Sequence, residues 1–376
     1  MADSYEIDVF TQESIYSYEE DSSNFGRGMK VYFSIPKNGT NEDTGLLLLI
    51  AGFGGKPTSN VYKKMRDKLA DECNLVTIQC EYFGYEFMQS HEKILTPHIE
   101  KNQLKNTFTY EEIEEIFKNG VFKFDTFLHI GSKYNINVKV KADLHEENVN
   151  NFNDMGLLQC TDNLTAVLNV MNILYDNKYS FNSKKTIIYG HSHGAYLAYL
   201  CNAFAPNLFS LIIDNSAWLY PAYLNCNRVL YKENGNLTLS IIFDYIAKRI
   251  IKDTELLNLF NLYSQFSNNC NIISYHGITD DLASCSEKSN FCNKINYCMY
   301  NEISENDVDD FVFKSTNHGL NADFINLYNY TMNNFNISFE KDTMFDLPSN
   351  LMYTTTRYKY IINYDNVIPK ITIKKK

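Results

Sequence analysis

Residues 186–205 read Thr-Ile-Ile-Tyr-Gly-His-Ser-His-Gly-Ala-Tyr-Leu-Ala-Tyr-Leu-Cys-Asn-Ala-Phe-Ala. Thr186 to Tyr189 is a short run of strand character, Ala195 to Ala205 resumes as a helix, and Gly190-His191-Ser192-His193-Gly194 lies between them. A serine in a G-x-S-x-G turn between a strand and a helix stands on a sharp, strained bend with its hydroxyl outward. The flanking glycines avoid clashes in that bend, and the helix amino terminus adds partial positive charge beside the hydroxyl. Ser192 is therefore the candidate nucleophile; the alternative is an ordinary strand-to-helix turn.

Working outward, Leu46 to Ile50, Leu75 to Cys80, Leu211 to Asp214, Asn271 to Tyr275 and Phe311 to Lys314 are short apolar runs suited to strands buried on both faces. Helical patterns alternate with them: Ser59 or Asn60 caps a helix with Val61, Met65 and Leu69 on one face, Leu164 to Tyr175 forms an apolar stripe, and residues 322–332 close the series. This alternation predicts an α/β fold with a mostly parallel sheet covered on both faces. Residues 5–10 and 29–35 alternate apolar and polar and are expected as antiparallel strands opening the sheet. Two segments interrupt the pattern: 85–153, with a capping box at Thr109 and Glu112, and 217–268, expected to be helical around 238–264. The end of the chain, 349–373, is expected as a two-stranded β-ribbon turning near Asp365-Asn366 and pairing with the amino-terminal strands. The 376 residues are expected to form one domain, 1–376, with insertions.

A serine hydroxyl needs a base, and the base needs an acid to orient it. His318, in Ser315-Thr316-Asn317-His318-Gly319, follows the last expected strand and suits the base; His276 is the other downstream histidine. The acid belongs at a strand end or loop before the final helix, where Asp280 and Asp281 stand; Asp214, at the end of the preceding strand, is a further alternative. Two backbone N–H groups should meet the oxyanion, one from the residue after the nucleophile and one from the loop after an early strand. These are His193 and Phe53, with Gly54 as an alternative in the flexible Ala51-Gly52-Phe53-Gly54-Gly55 loop.

These residues resemble the α/β-hydrolase superfamily of serine esterases, thioesterases, peptidases and acyltransferases over roughly residues 45–335. His276-Gly277-Ile278-Thr279-Asp280 resembles the H-G-x-x-D segment of many members, whose aspartate belongs to the triad, and the resemblance favours Asp280. It also implies a lid at 217–268, in which Trp218, Tyr220 and Tyr223 would line an acyl or sugar pocket, or else pack the insertion onto the core. Ala51 to Gly54, Glu81-Tyr82-Phe83-Gly84 and Asn153-Asp154-Met155-Gly156-Leu157 further resemble an uncharacterised bacterial family associated with flagellin-glycosylation genes. The implied activity is a serine hydrolase acting through an acyl-enzyme on a small ester or acylated sugar. An acyltransferase using the same triad and a non-catalytic binding module are the alternatives.

The formal charge of −11 argues against a nucleic-acid partner. The amino terminus lacks the basic and apolar regions of a signal peptide and no apolar run approaches a membrane span, so a cytoplasmic location without integral membrane association is expected. Nine cysteines form no C-x-x-C pair, and the remaining histidines, His91, His98, His129, His145 and His191, show no ligand spacing. Neither a metal nor another cofactor is expected, and a homodimer is left open.

Overall fold

A computed structural model describes residues 1–16, 26–89, 93–344, 347–365 and 368–376. His91 and Asn366 therefore lie outside the described residues. The chain divides into two compact units, one of residues 1–89, 149–222 and 249–376, the other of residues 90–148 and 223–248.

The larger unit is built on an eight-stranded sheet: β1 (Asp3–Thr11), β2 (Arg27–Ile35), β3 (Gly45–Ile50), β4 (Leu75–Cys80), β5 (Thr186–His191), β6 (Leu211–Asn215), β7 (Asn271–Gly277) and β8 (Cys298–Ile303). Their spatial order is β1-β2-β4-β3-β5-β6-β7-β8. Only β2 runs against its neighbours; from β4 to β8 every pairing is parallel. This mixed sheet, with its single reversed second strand and helical crossovers, is the α/β-hydrolase fold. Every residue of β3, β4 and β6 is buried, as unbroken apolar runs require.

Three helices position the centre. The first, α1 (Asn60–Cys73), is capped by Ser59 and buries Met65 and Leu69, while Val61, expected on the same stripe, is exposed. The second, α2 (Leu157–Asp176), starts seven residues before the apolar stripe because its first two turns bury hydrogen-bonded polar side chains. Asp162 there accepts from Arg27, Thr11 Oγ1 and the Phe83 N–H, which ties the helix to β1 and β2. The third, α3 (His193–Phe204), is buried along its whole length.

Four expectations are corrected. Phe311 to Lys314 is not a strand, because the Asp309 carboxylate accepts the N–H groups of Phe311, Val312 and Phe313 and so curls the segment into a turn. The eighth strand is Cys298–Ile303. Residues 238–243 are not helical either: Leu237–Phe243 pairs with Arg228–Asn234 as a hairpin across Gly235-Asn236, with Gly235 at φ 61°. A two-residue Gly-Asn loop between alternating β-branched runs is a hairpin signal that outweighs the helical pattern. The carboxy-terminal ribbon has three strands, Asn350–Thr354, Tyr358–Asn363 and Lys370–Lys375, because a tight turn at Thr355 to Arg357 splits its first half.

No ladder joins that ribbon to β1 or β2 among the described residues. The Gln12 side-chain amide instead bonds both the N–H and the C=O of Ile371, standing in for one strand residue. The ribbon also caps α3: the Tyr353 hydroxyl donates to the Ala203 carbonyl and the Tyr364 hydroxyl to the Phe204 carbonyl at 2.6 Å. The last carbonyls of a helix have no intrahelical donor, so these phenols supply one.

The smaller unit has a four-stranded sheet in which Ile94–Leu95, Ile136–Ala142, Leu237–Phe243 and Arg228–Asn234 lie side by side. It includes the helix Tyr110–Ile116 with the expected Thr109–Glu112 capping box. Tyr364→Phe leaves the Phe204 carbonyl without its donor and is expected to cost about 1–3 kcal/mol in chemical denaturation; an unchanged unfolding free energy would remove the capping role.

Candidate active site

The turn after β5 places Ser192 at φ 55° and ψ −120°, a conformation non-glycine residues rarely adopt. Its neighbours explain how it persists. A Cβ on Gly194 would lie 2.0 Å from the Ile50 carbonyl oxygen, and one on Gly190 would lie 2.4 Å from Ala195 Cα. The two glycines thus let the turn sit against the end of β3 and fold back into α3. The Ser192 N–H donates to the Asn215 carbonyl at 2.8 Å, fixing the bend to the end of β6.

His318 arrives from the opposite side. The Lys314 and Ser315 N–H groups both donate to the Leu320 carbonyl, and the Leu320 N–H donates to the Asn317 carbonyl, so the loop closes on itself with His318 at its apex. The Asp280 loop is laced to it, the Thr279 N–H donating to the Thr316 carbonyl at 3.1 Å and the two threonine hydroxyls meeting at 2.8 Å. This contact accounts for Gly277, since a Cβ there would fall 1.9 Å from the Thr316 oxygen.

The result is a continuous chain. His318 Nδ1 lies 2.8 Å from Asp280 Oδ2, and His318 Nε2 lies 2.7 Å from Ser192 Oγ. A carboxylate only accepts, so Nδ1–H is the donor and the Nε2 lone pair faces the serine hydroxyl. Asp280 Oδ1 is occupied as well, accepting from the N–H groups of Leu282 and Ala283. Burial alone would raise the Asp280 carboxyl, but the hydrogen bond and charge of His318, with His276 behind, outweigh it and hold the group below its ordinary value. Ser192 and the Asp280 side chain are buried and His318 keeps a partly exposed edge.

The alternatives for the acid separate on geometry. Asp214 is committed elsewhere: its carboxylate pairs with the fully buried Lys288 at 2.6 Å and accepts from Tyr199, Ser274 and the Ala217 N–H. Asp281 is exposed. His276 donates through Nε2 to the Ala283 carbonyl, and its Nδ1 stands 3.7 Å from Asp280.

His193 opens α3, where its backbone N–H has no acceptor within the helix. The Gly54 N–H is already used, donating to the Met88 carbonyl at 3.1 Å. Phe53 packs edge-to-face on His193 and on Trp218, with ring centroids 5.3 and 5.9 Å apart. Trp218 is buried, lying under Phe53 and His193 rather than opening to solvent; Tyr220 is half-buried, and Tyr223 belongs to the smaller unit beside Tyr245.

Sequence reading passed over Gln159. Its amide nitrogen donates to the Phe83 carbonyl and to Asn153 Oδ1, so its oxygen faces His193 Nε2 at 2.6 Å and fixes that ring as the Nε2–H tautomer. The three motif segments at 51–54, 81–84 and 153–157 therefore meet around the elbow. No group of three or more His, Cys, Asp or Glu side chains fit to hold a metal occurs among the described residues, and none of their helices is long and apolar enough to cross a membrane.

Residues 13–239 match the family described as Protein of unknown function (DUF2920), and the chain belongs to that family. A comparison with curated proteins gives no match. Among solved structures it is similar to ferulic-acid-bound Est1E from Butyrivibrio proteoclasticus, at 13% identity over 74% of this chain and 86% of that one, with a TM-score of 0.40. It is also similar to the esterase domain of a Rhodothermus marinus protein (11% identity, 86% and 93% covered, TM-score 0.40). The acylaminoacyl peptidase of Pyrococcus horikoshii matches at 11% identity, 88% and 40% covered, with a TM-score of 0.45.

Burial pushes the His193 imidazole down to about 3, and burial reinforced by His318 pushes His191 down to about 4. Both lie below the ordinary 6.5, so the unfolded chain binds protons there that the native state refuses. The stability these rings contribute is complete above that value and is lost as pH falls toward their folded values. His191→Gln, which removes one such ring, is therefore expected to lose less unfolding free energy than the wild type between near pH 7 and near pH 5. Parallel losses would contradict a neutral His191.

Proposed function

We propose that the chain is a serine hydrolase that cleaves a small carboxylic ester through an acyl-enzyme on Ser192. The observation that carries this reading is the unbroken relay from Asp280 through His318 to Ser192, with contacts of 2.8 and 2.7 Å. As Ser192 Oγ bonds to the ester carbonyl carbon, its proton passes to His318 Nε2, and Asp280 stabilises the imidazolium that forms. The carbonyl oxygen becomes an oxyanion held by the backbone N–H groups of His193 and Phe53, each donor of this kind being worth roughly 10²–10³ in rate.

Collapse of the tetrahedral intermediate breaks the bond to the alcohol oxygen, which leaves with the proton from His318. Water then loses a proton to the same nitrogen as it attacks the acyl carbon, and collapse of this second intermediate breaks the bond to Ser192 Oγ, which takes the proton back from His318 and releases the carboxylic acid. Among the two oxyanion candidates in the early loop, Phe53 is preferred because Gly54 spends its N–H on Met88. Asp280 is preferred as the acid because Asp214 is bound to Lys288.

Hydrolysis of p-nitrophenyl acetate by purified protein tests the reading. Ser192→Ala is expected to lower kcat by roughly 10³-fold or more. Asp280→Asn, whose amide would donate to Nδ1 and turn the His318 lone pair away from the serine, is expected to cost roughly 10³–10⁴-fold. Asp281→Asn should leave the rate unchanged. Hydrolysis that survives Ser192→Ala would overturn the assignment.

A further inference from the structure

Asp280 is only one of the tethers on His318. The residue beside the base, Gly319, donates its N–H to Ser216 Oγ at 3.0 Å and accepts through its C=O from Asn215 Nδ2 at 3.2 Å. The Ser216 hydroxyl donates in turn to Asn215 Oδ1 at 3.1 Å, so the Asn215 amide can face only one way. Asn215 is also the residue whose carbonyl takes the Ser192 N–H. One dipeptide at the end of β6 therefore grips the nucleophile through its backbone and the base loop through its two side chains.

The dipeptide is itself pinned. Both residues are buried, and the Ser216 N–H donates to the Tyr275 carbonyl at 3.0 Å. The next residue, Ala217, gives its N–H to Asp214 and its C=O to Lys288, the two members of the buried ion pair. Ser216 sits at φ 61°, an uncommon conformation for a serine that the surrounding bonds must hold. On the other side, Gly319 at φ 79° leaves no room for a Cβ, which would come 2.5 Å from His191 Nε2. The His318 loop is thus clamped between the elbow and the turn after β6.

We propose that Asn215 and Ser216 are positioning residues that set the distance from His318 Nε2 to Ser192 Oγ, a role that rests on the Ser192 reading above. They touch neither substrate nor the transferred proton; they act through Gly319 and the Ser192 backbone. Small displacements of a base from its nucleophile cost rate steeply, on the order of 10²-fold for about 1 Å.

Ser216→Gly separates this role from a structural one, because glycine accepts a positive φ without strain while the hydroxyl is lost. The variant is expected to melt below the wild type, because the Gly319 N–H and Asn215 Oδ1 lose their partner while the φ strain is relieved, yet to stay folded at assay temperature with the wild-type KM for p-nitrophenyl acetate and to lose roughly 10- to 100-fold in kcat. Should it fail to fold, Ser216→Cys, which keeps the shape of the side chain and replaces the hydroxyl by a weakly hydrogen-bonding thiol, reads the same constants. A fluorophosphonate run on the wild type accompanies the kinetics. A labelled Ser192 with an undiminished kcat in the variant, or a loss that only tracks the unfolded fraction, would overturn the positioning role and leave the nucleophile standing. A wild type that is not labelled would overturn the Ser192 reading and this inference with it.

Discussion

Everything at the candidate site depends on the backbone of one residue, Ser192, held at φ 55° and ψ −120°. Such a conformation costs on the order of 1–3 kcal/mol and survives only where its surroundings over-determine it. Here they do: the Asn215 carbonyl takes the Ser192 N–H, the Ser192 carbonyl takes the Tyr196 N–H, and Gly194 lies against the Ile50 carbonyl with no room for a side chain. The strain aims the hydroxyl at His318 and leaves the His193 N–H at the free end of a helix.

The sheet makes this convergence economical. Strands β3, β5, β6 and β7 are parallel, so the loops that follow them emerge at one edge. They carry in order Phe53, Ser192, the Asn215-Ser216 pair and Asp280, and the His318 loop is laced onto the last of these through Thr279 and Thr316. Glycines mark places where these loops touch, among them Gly194 on β3, Gly277 on the His318 loop and Gly319 on the elbow. The same edge explains why a buried ion pair lies nearby. Removing either Asp214 or Lys288 would leave the other charge uncompensated in the interior, so the pair acts as a fixed anchor for the turn in front of it.

Strands β3 to β7 and the turn at Ser192 were legible in the sequence because each depends on local pattern. Unbroken apolar runs mark buried parallel strands, and G-x-S-x-G with a strand before it and a helix after it marks the elbow. Choosing Asp280 over Asp281 and Asp214 drew on resemblance, and the geometry that separates them comes from partners far along the chain, above all Lys288. The first turns of α2 were missed for a related reason: Gln159 and Asp162 stand ahead of the apolar stripe as polar residues, yet both are buried and find polar partners on distant segments. Asn215 and Ser216 gave only the signal of two polar residues at a strand end. The Leu237–Phe243 strand was misread although Gly235-Asn236 offered a hairpin turn, because apolar alternation and a helical stripe overlap in so short a run.

An acyl group carried on Ser192 is read directly by rapid quenching of the wild-type protein with p-nitrophenyl acetate, followed by peptide mass spectrometry. The expected result is an acetyl adduct confined to the peptide bearing Ser192, formed no more slowly than steady-state turnover and decaying as acetate is released. Turnover with no adduct on that peptide at any quench time, or an adduct on another residue that forms and decays at the turnover rate, would contradict it.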